Sequence, residues 1–385
     1  MLTFDRFDGI NNVQPSARIT AQELVEAVNV DAGLSGELRR RQGTTRIDTS
    51  PHSNLHKADG YLLATVDGDL TAITDDDRRI LLRAGMGSSR VWYCDLPDGR
   101  VAFSNGSVNG ITDGVSVTGW GVPAPTDTGA AIVVEGAAAL GEYRYALTYV
   151  RLVDGLEGGP IYSAPLQVDQ GGLVLTSLPV TDGYKINIYL TSHNDGTFYL
   201  SGSTTSGAYS FTGANDTLVL PLRSDFEPAP MGTICATWRG RALIAVNNVL
   251  YASLPHNPEA FNVRRDFKQF TAPITLIQPV DSGVFVGTKT ELAFLRGEQF
   301  DTLIYSQMIA GQVVLGSGVE VPGDRISDGL PGKGMVCIAD RLLVAGLPDG
   351  RAVRLTDGRY QIEASEVAAT FKMTDGIPQY LAIPL

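Results

Sequence analysis

Apolar and polar positions alternate along this chain in short bursts, and one burst–turn–burst phrase keeps returning. Residues 61–74 read YLLATVDGDLTAIT and residues 101–114 read VAFSNGSVNGITDG. Residues 242–255 (ALIAVNNVLYASLP), 283–297 (GVFVGTKTELAFLRG) and 341–356 (RLLVAGLPDGRAVRLT) repeat the phrase in other words. An apolar run, a turn of Gly, Asn or Asp, and a second apolar run write a β-hairpin, because those turn residues accept positive φ. The first two phrases start 40 residues apart and the third and fourth 41 apart. A four-stranded propeller blade takes roughly 40–50 residues. Five disguised copies of one hairpin predict an all-β fold, a β-propeller of five to seven blades.

The pattern changes in the middle of the chain. Residues 123–127 (PAPTD) and 226–230 (FEPAP) are stiff, proline-rich hinges of the kind that separate domains. Between them, residues 142–150 (EYRYALTYV) and 184–190 (YKINIYL) alternate strictly, and turn clusters divide about seven short strands. That predicts an immunoglobulin- or fibronectin-like β-sandwich inserted into the propeller, without the Cys–Trp–Cys mark of a disulfide-linked immunoglobulin domain. The expected division is an N-terminal anchoring segment at 1–50, propeller at 51–122, inserted sandwich at 123–225 and propeller again at 226–385. Within the opening segment, residues 7–12 (FDGINN) carry turn chemistry. Residues 20–29 (TAQELVEAVN) predict a helix, with Thr20 as cap and Glu23 three residues later.

Composition narrows the function classes. Forty-three glycines and 19% charged residues suit many short strands joined by tight turns. A net charge of −12 argues against stable binding to nucleic acid, which needs clustered Lys and Arg, and suits a surface that DNA passes without sticking. The start, MLTFDRFDGI, lacks the pattern of a secretory signal, and no apolar run approaches a membrane span. Synthesis in the cytoplasm, with no membrane-spanning segment, is the expectation. Cys94, Cys235 and Cys337 form no CxxC pair and sit among apolar residues, as small core residues do.

Catalytic signatures are weak throughout. His52 and His56 have i,i+4 spacing but lack the Glu of a zinc helix, and Pro51 and Asn54 predict a loop there. Asp75, Asp76 and Asp77 before Arg78 and Arg79 lack the spaced ligands of a calcium loop and read as a charged hairpin end. Residues 329–334 (GLPGKG) miss the glycine and hydroxyl positions of a phosphate loop. No nucleophile elbow or Asp-box repeat is present, and Trp92, Trp120 and Trp238 are expected in packing between blades. No catalytic residue, cofactor or metal is predicted. Arg39, Arg40 and Arg41 make the one dense basic run; they are a solvated strand end or a contact with an acidic neighbour.

Three phrases resemble bacteriophage tail nozzle proteins, also called tail tubular protein B or phage stabilisation proteins. The first is FDGINN with Pro15, Leu24, residues 26–31 (EAVNVD), residues 36–38 (GEL) and residues 41–43 (RQG). The second is residues 143–150 (YRYALTYV) with 155–160 (GLEGGP) and Ser163; the third is residues 238–245 (WRGRALIA) with 250–253 (LYAS) and Pro258. The resemblance runs through nearly the whole chain in the same order. It implies a propeller core with inserted β domains, assembled with copies of itself as a ring, commonly a hexamer, below portal and adaptor. Such rings line the DNA exit channel and hold fibres or spikes, so the implied location is the virion tail. The alternative is a propeller that binds or hydrolyses glycans; a WD40-type scaffold is weaker, since Gly-His and Trp-Asp marks are missing.

Overall fold

A computed structural model describes residues 7–385 apart from 34, 35, 42, 44, 224, 225 and 375. The MLTFDR start and Gln42 of the opening motif therefore lie outside the described residues. The fold is all-β, built of many small antiparallel sheets in a propeller-like arrangement. The first sheet is a meander of His52–Ala58, Tyr61–Val66, Asp69–Thr74 and Arg79–Arg83, and the second runs Trp92–Asp95, Val101–Ser104, Asn109–Thr112 and Val117–Thr118. The third begins with Cys235–Trp238, Arg241–Val246 and Val249–Leu254, the last of which pairs with both Asn257–Phe261 and Phe267–Gln269. Ile274–Val280 opens the fourth sheet and Val319–Pro322 the fifth, and a hairpin of Val367–Thr374 and Ile377–Pro384 ends the chain.

Four of the repeated phrases are the central strand pairs of their sheets, and the fifth forms the last two strands of the fifth sheet. Their turns show why the phrase was legible. Asp67 and Gly68 both take positive φ (52° and 87°), the backbone that a two-residue hairpin turn requires. Arg239 and Gly240 (47° and 72°) do the same between the first two strands of the third sheet. Val101–Ser104 and Gly283–Thr288 are buried on both faces, because the second and fourth sheets each lie between two neighbours; on the first sheet Leu55, Leu62 and Leu81 are exposed. One cluster lies between the second and third sheets (Cys94, Ala102, Trp120, Ala242, Ile244, Phe261), and another between the third and fourth (Trp238, Leu243, Val284, Ala293). Phe285 and Phe294, with ring centroids 4.6 Å apart, join the seam between the fourth and fifth sheets. Each such fully buried side chain contributes about 1.5–3 kcal/mol.

Strands between residues 130 and 211 pair with one another, Phe198–Thr204 also bridging to Pro221, and they share a separate core. A four-stranded sheet (Ile161–Tyr162, Tyr145–Arg151, Tyr184–Thr191, Phe198–Thr204) faces Gly171–Thr176 and Tyr209–Phe211 across Leu147, Ile188, Leu173 and Leu175. The loop that follows Arg151 is tied down at Glu157, whose Oε1 accepts from Asn187 Nδ2 (3.0 Å), Tyr189 OH (2.7 Å) and Thr148 Oγ1.

The helix expected at residues 20–29 does not form. Thr20 and Glu23 do make the capping contact, with Thr20 N donating to Glu23 Oε2 at 3.0 Å. The turn stops there, because Glu23–Leu24 is captured in parallel by Gly9–Ile10, and Asn29 takes φ 59°. Val25 and Val28 are exposed, so no core holds a helical face. The FDGINN phrase is accordingly part strand and part turn, with Asn11 Oδ1 accepting from Gln14 N at 3.1 Å. His52 and His56 also lie on a strand rather than a loop, interrupted by an irregularity at Asn54 (φ 53°).

Candidate functional site

The first strands of the five sheets and of the C-terminal hairpin surround a central cavity of about 950 Å³. Their polar side chains converge at one mouth. His56 Nε2 lies 2.9 Å from Asp95 Oδ1, and Thr237 Oγ1 donates to Asp95 O at 2.5 Å. Arg239 Nη2 donates to Asp281 O (3.1 Å), Asp281 Oδ2 accepts from Lys333 N (3.2 Å), and Lys333 Nζ pairs with Glu320 Oε1 at 3.0 Å. Acids and bases alternate around the opening, so the cavity is a mixed-charge lining rather than an acidic one. The Asp95, Asp281 and Glu320 carboxylates each have a partner at this opening. Among the described residues, no group of three or more His, Cys, Asp or Glu is placed to hold a metal ion. Lys333, in the phosphate-loop echo, opens a strand and is committed to Glu320.

A second constellation sits where the body formed by the 130–211 strands, called the central body below, meets the second and third sheets. Arg151 Nη2 reaches Asp154 Oδ2 at 2.5 Å and Glu259 Oε2 at 2.7 Å, and Arg100 Nη1 reaches Glu259 Oε1 at 2.8 Å. Arg151 and Glu259 are both buried. Burial works against the Arg151 charge, but hydrogen bonds to Asp154 and Glu259 outweigh it and raise its pKa. The Arg151 hydrogen bond holds the Asp154 carboxyl below the usual range. Around this seam the backbones meet closely. A Cβ on Gly121 (φ 99°) would lie 2.5 Å from Glu259 O and 2.6 Å from Pro228 Cα, and one on Gly158 would lie 2.6 Å from Val122 O. Glu227 and Phe261 exchange backbone hydrogen bonds at 2.9 and 2.8 Å.

The basic run is placed apart from both. Arg39 and Arg40 end the strand Leu38–Arg40, and the exposed side chains of Arg39 and Arg41 pair with Glu37 (3.0 Å) and Asp31 (3.2 Å). Arg40 has no ion-pair partner among the described residues. The Asp75–Asp77 cluster caps an exposed turn, where Asp76 pairs with Arg78 at 2.7 Å. Trp120 and Trp238 are buried between sheets, and Trp120 Nε1 donates to Pro258 O at 2.8 Å. All three cysteines are buried and free. Sequence reasoning missed the Arg151–Glu259 seam entirely: the two are 108 positions apart, and neither lies in a motif.

No protein-family model matches the chain, and no curated protein matches it. Among solved structures, it is similar to a streptogramin B lyase (11% identity, 86% of this chain and 91% of that one, TM-score 0.35). It is also similar to BBS1N in a complex with ARL6DN (11%, 87% and 88%, TM-score 0.33) and to AztD of Citrobacter koseri (10%, 86% and 91%, TM-score 0.29). Likenesses this distant carry no argument about activity. Among the described residues no helix is long and apolar enough to cross a membrane.

Proposed function

We propose that this chain is a non-enzymatic structural protein of a bacteriophage virion, a nozzle-like component of the tail. In this reading it is a β-propeller with an inserted immunoglobulin- or fibronectin-like sandwich. It assembles with copies of itself, as a hexameric ring, lining the DNA exit channel below portal and adaptor and supporting fibres or spikes. The observation that carries the reading is that residues of the resembling phrases serve as joints. Asn12 of the opening phrase pins the N-terminal segment to Gln361. Gly158 and Gly159 of the second phrase lie against Val122 and Phe226 at the two hinges. In the third phrase Arg239 and Gly240 make the turn, and Arg241 Nη1 and Ala242 N donate to Ser253 O (2.7 Å) and Ser253 Oγ (2.9 Å). Such roles favour a wall element over a reaction site.

The mechanism is mechanical and electrostatic. Stiff sheets form the wall, and the net charge of −12 repels the DNA backbone, so the genome slides without binding. A ring follows from heterologous contacts that close by rotation. Arg39, Arg40 and Arg41 would meet an acidic neighbour, the adaptor or the next copy. Labelling residues 123–225 on purified particles and imaging them by negative stain tests the placement; label away from the tail overturns it. Unchanged particle assembly after a triple Arg39→Ala, Arg40→Ala, Arg41→Ala substitution removes the anchoring role. One observation favours the second reading, a glycan-binding propeller: the open central cavity of about 950 Å³. Binding on a glycan array separates the two.

A further inference from the structure

Two of the three cysteines face each other across the seam between the second and third sheets. Cys94 lies on the first strand of the second sheet, opposite Ala102, and Cys235 on the first strand of the third, opposite Ile244. These two strands run side by side, and the Thr237–Asp95 hydrogen bond clamps them just beyond the thiols. Both cysteines belong to the same apolar cluster, and both line the central cavity. They are 4% and 7% exposed, so the cavity is the route by which a small molecule reaches them. Contact with Cys94, ahead of burial, pushes the Cys235 thiol well up. Cys337 lies in the seam between the fourth and fifth sheets, where burial pushes its thiol up to about 12.

We propose that Cys94 and Cys235 form an oxidisable pair, reached from the central cavity, which closes to a disulfide and ties the second sheet to the third. The oxidant is a small neutral disulfide, R–S–S–R. The Cys94 thiolate attacks one of its sulfurs, forms a mixed disulfide and expels RS⁻. Cys235 then gives up its proton and attacks the Cys94 sulfur, forming the Cys94–Cys235 bond and expelling the second RS⁻. Two protein thiols are oxidised, one small disulfide is reduced to two thiols, and the two protons end on the departing thiolates. The chain between the two cysteines contains the whole 130–211 body, so the link closes a very long loop. Loop-closure arguments place the largest constraint on the unfolded chain in that case. The inference does not depend on the tail role.

The folded chain is incubated with bis(2-hydroxyethyl) disulfide, quenched in acid, denatured, alkylated and mapped by mass spectrometry without reduction. The expected result is one linked peptide pair, Cys94 with Cys235, about 2 Da lighter than the two free peptides together, with Cys337 alkylated. The oxidised chain is also expected to unfold at higher urea than the reduced chain, a shift that Cys235→Ser abolishes and Cys337→Ser keeps. Recovery of Cys94 and Cys235 as alkylated thiols, or links through Cys337 or between chains, overturns the proposal. A linked chain with an unshifted midpoint overturns the tie between sheets. The mapping uses the unmodified chain, so a variant that fails to fold leaves the test intact.

Discussion

Asn12 and Gln361, 349 positions apart, grip each other through two hydrogen bonds: Asn12 Nδ2 donates to Gln361 O at 2.8 Å, and Gln361 N donates to Asn12 Oδ1 at 2.8 Å. Asn12 N also donates to Arg359 O at 3.0 Å. The side-chain amide thus imitates a strand backbone and fastens the N-terminal segment to the connection that leads from the fifth sheet into the C-terminal hairpin. Only an amide of this length offers both donor and acceptor in that geometry.

Asn12→Ala is therefore expected to loosen residues 7–41 without unfolding the sheets. Two solvent-facing hydrogen bonds together contribute about 1 kcal/mol net. Hydrogen exchange should quicken across Gly9–Ile10 and Glu23–Leu24, while the sheet strands keep their protection. Unchanged exchange in that segment would show that the grip is dispensable.

The hairpins were legible because their turn residues state a backbone requirement directly: Asp67 and Gly68, and Gly350 in the turn after Gly346, take positive φ. The first strands of the sheets were not. Trp92–Asp95 and Cys235–Trp238 are four residues each, too short for alternation to register, yet they line the cavity. The false helix shows the opposite failure. Thr20 and Glu23 met as a cap should, but Glu23–Leu24 pairs in parallel with Gly9–Ile10, a contact between distant residues that overrides local helix propensity. Cys94 and Cys235 could not be paired from sequence, since an entire β body separates them.

Gly121 makes a close backbone joint beside the 130–211 body. Its φ of 99° disfavours any side chain, and a Cβ would strike Glu259 O and Pro228 Cα. Gly121→Ala is expected to cost roughly 2–4 kcal/mol from backbone strain and overpacking together. Chemical denaturation should show a lower midpoint. Gly155→Ala, also at positive φ (74°) but with open space around it, should cost less. Equal costs would mean that packing at the joint contributes nothing.

Alkaline pH should weaken the C-terminal hairpin's attachment. Tyr380 OH donates to Ser317 O at 2.7 Å, and burial, with Cys337 nearby, raises its pKa; burial pushes the Cys337 thiol up to about 12. Both groups are held neutral in the folded chain. Their contribution is full below the unfolded values, near 9 for Cys and 10 for Tyr, and is lost as pH rises through the folded ones. Stability should thus decline from about pH 9 upward. Tyr380→Phe should flatten the upper part of that decline, at a cost of about 1–2 kcal/mol at neutral pH from the unpaired Ser317 carbonyl. An unchanged alkaline slope in Tyr380→Phe would contradict the assignment.

The buried Glu259 offers the sharpest energetic test, because it faces two guanidinium groups. Removing it strands Arg151 among apolar and backbone neighbours, with only Asp154 and Gly119 O still in reach. Glu259→Ala is expected to cost about 3–5 kcal/mol, the range for a buried pair broken from one side. The desolvation of Arg151 is the larger part of that loss, so deleting both charges should recover much of it. Arg151→Met combined with Glu259→Leu should be less destabilised than the two single changes summed, by about 1–3 kcal/mol. Urea denaturation of the four proteins measures the difference. If the double variant loses the full sum, Arg151 and Glu259 contribute independently and do not stabilise one another.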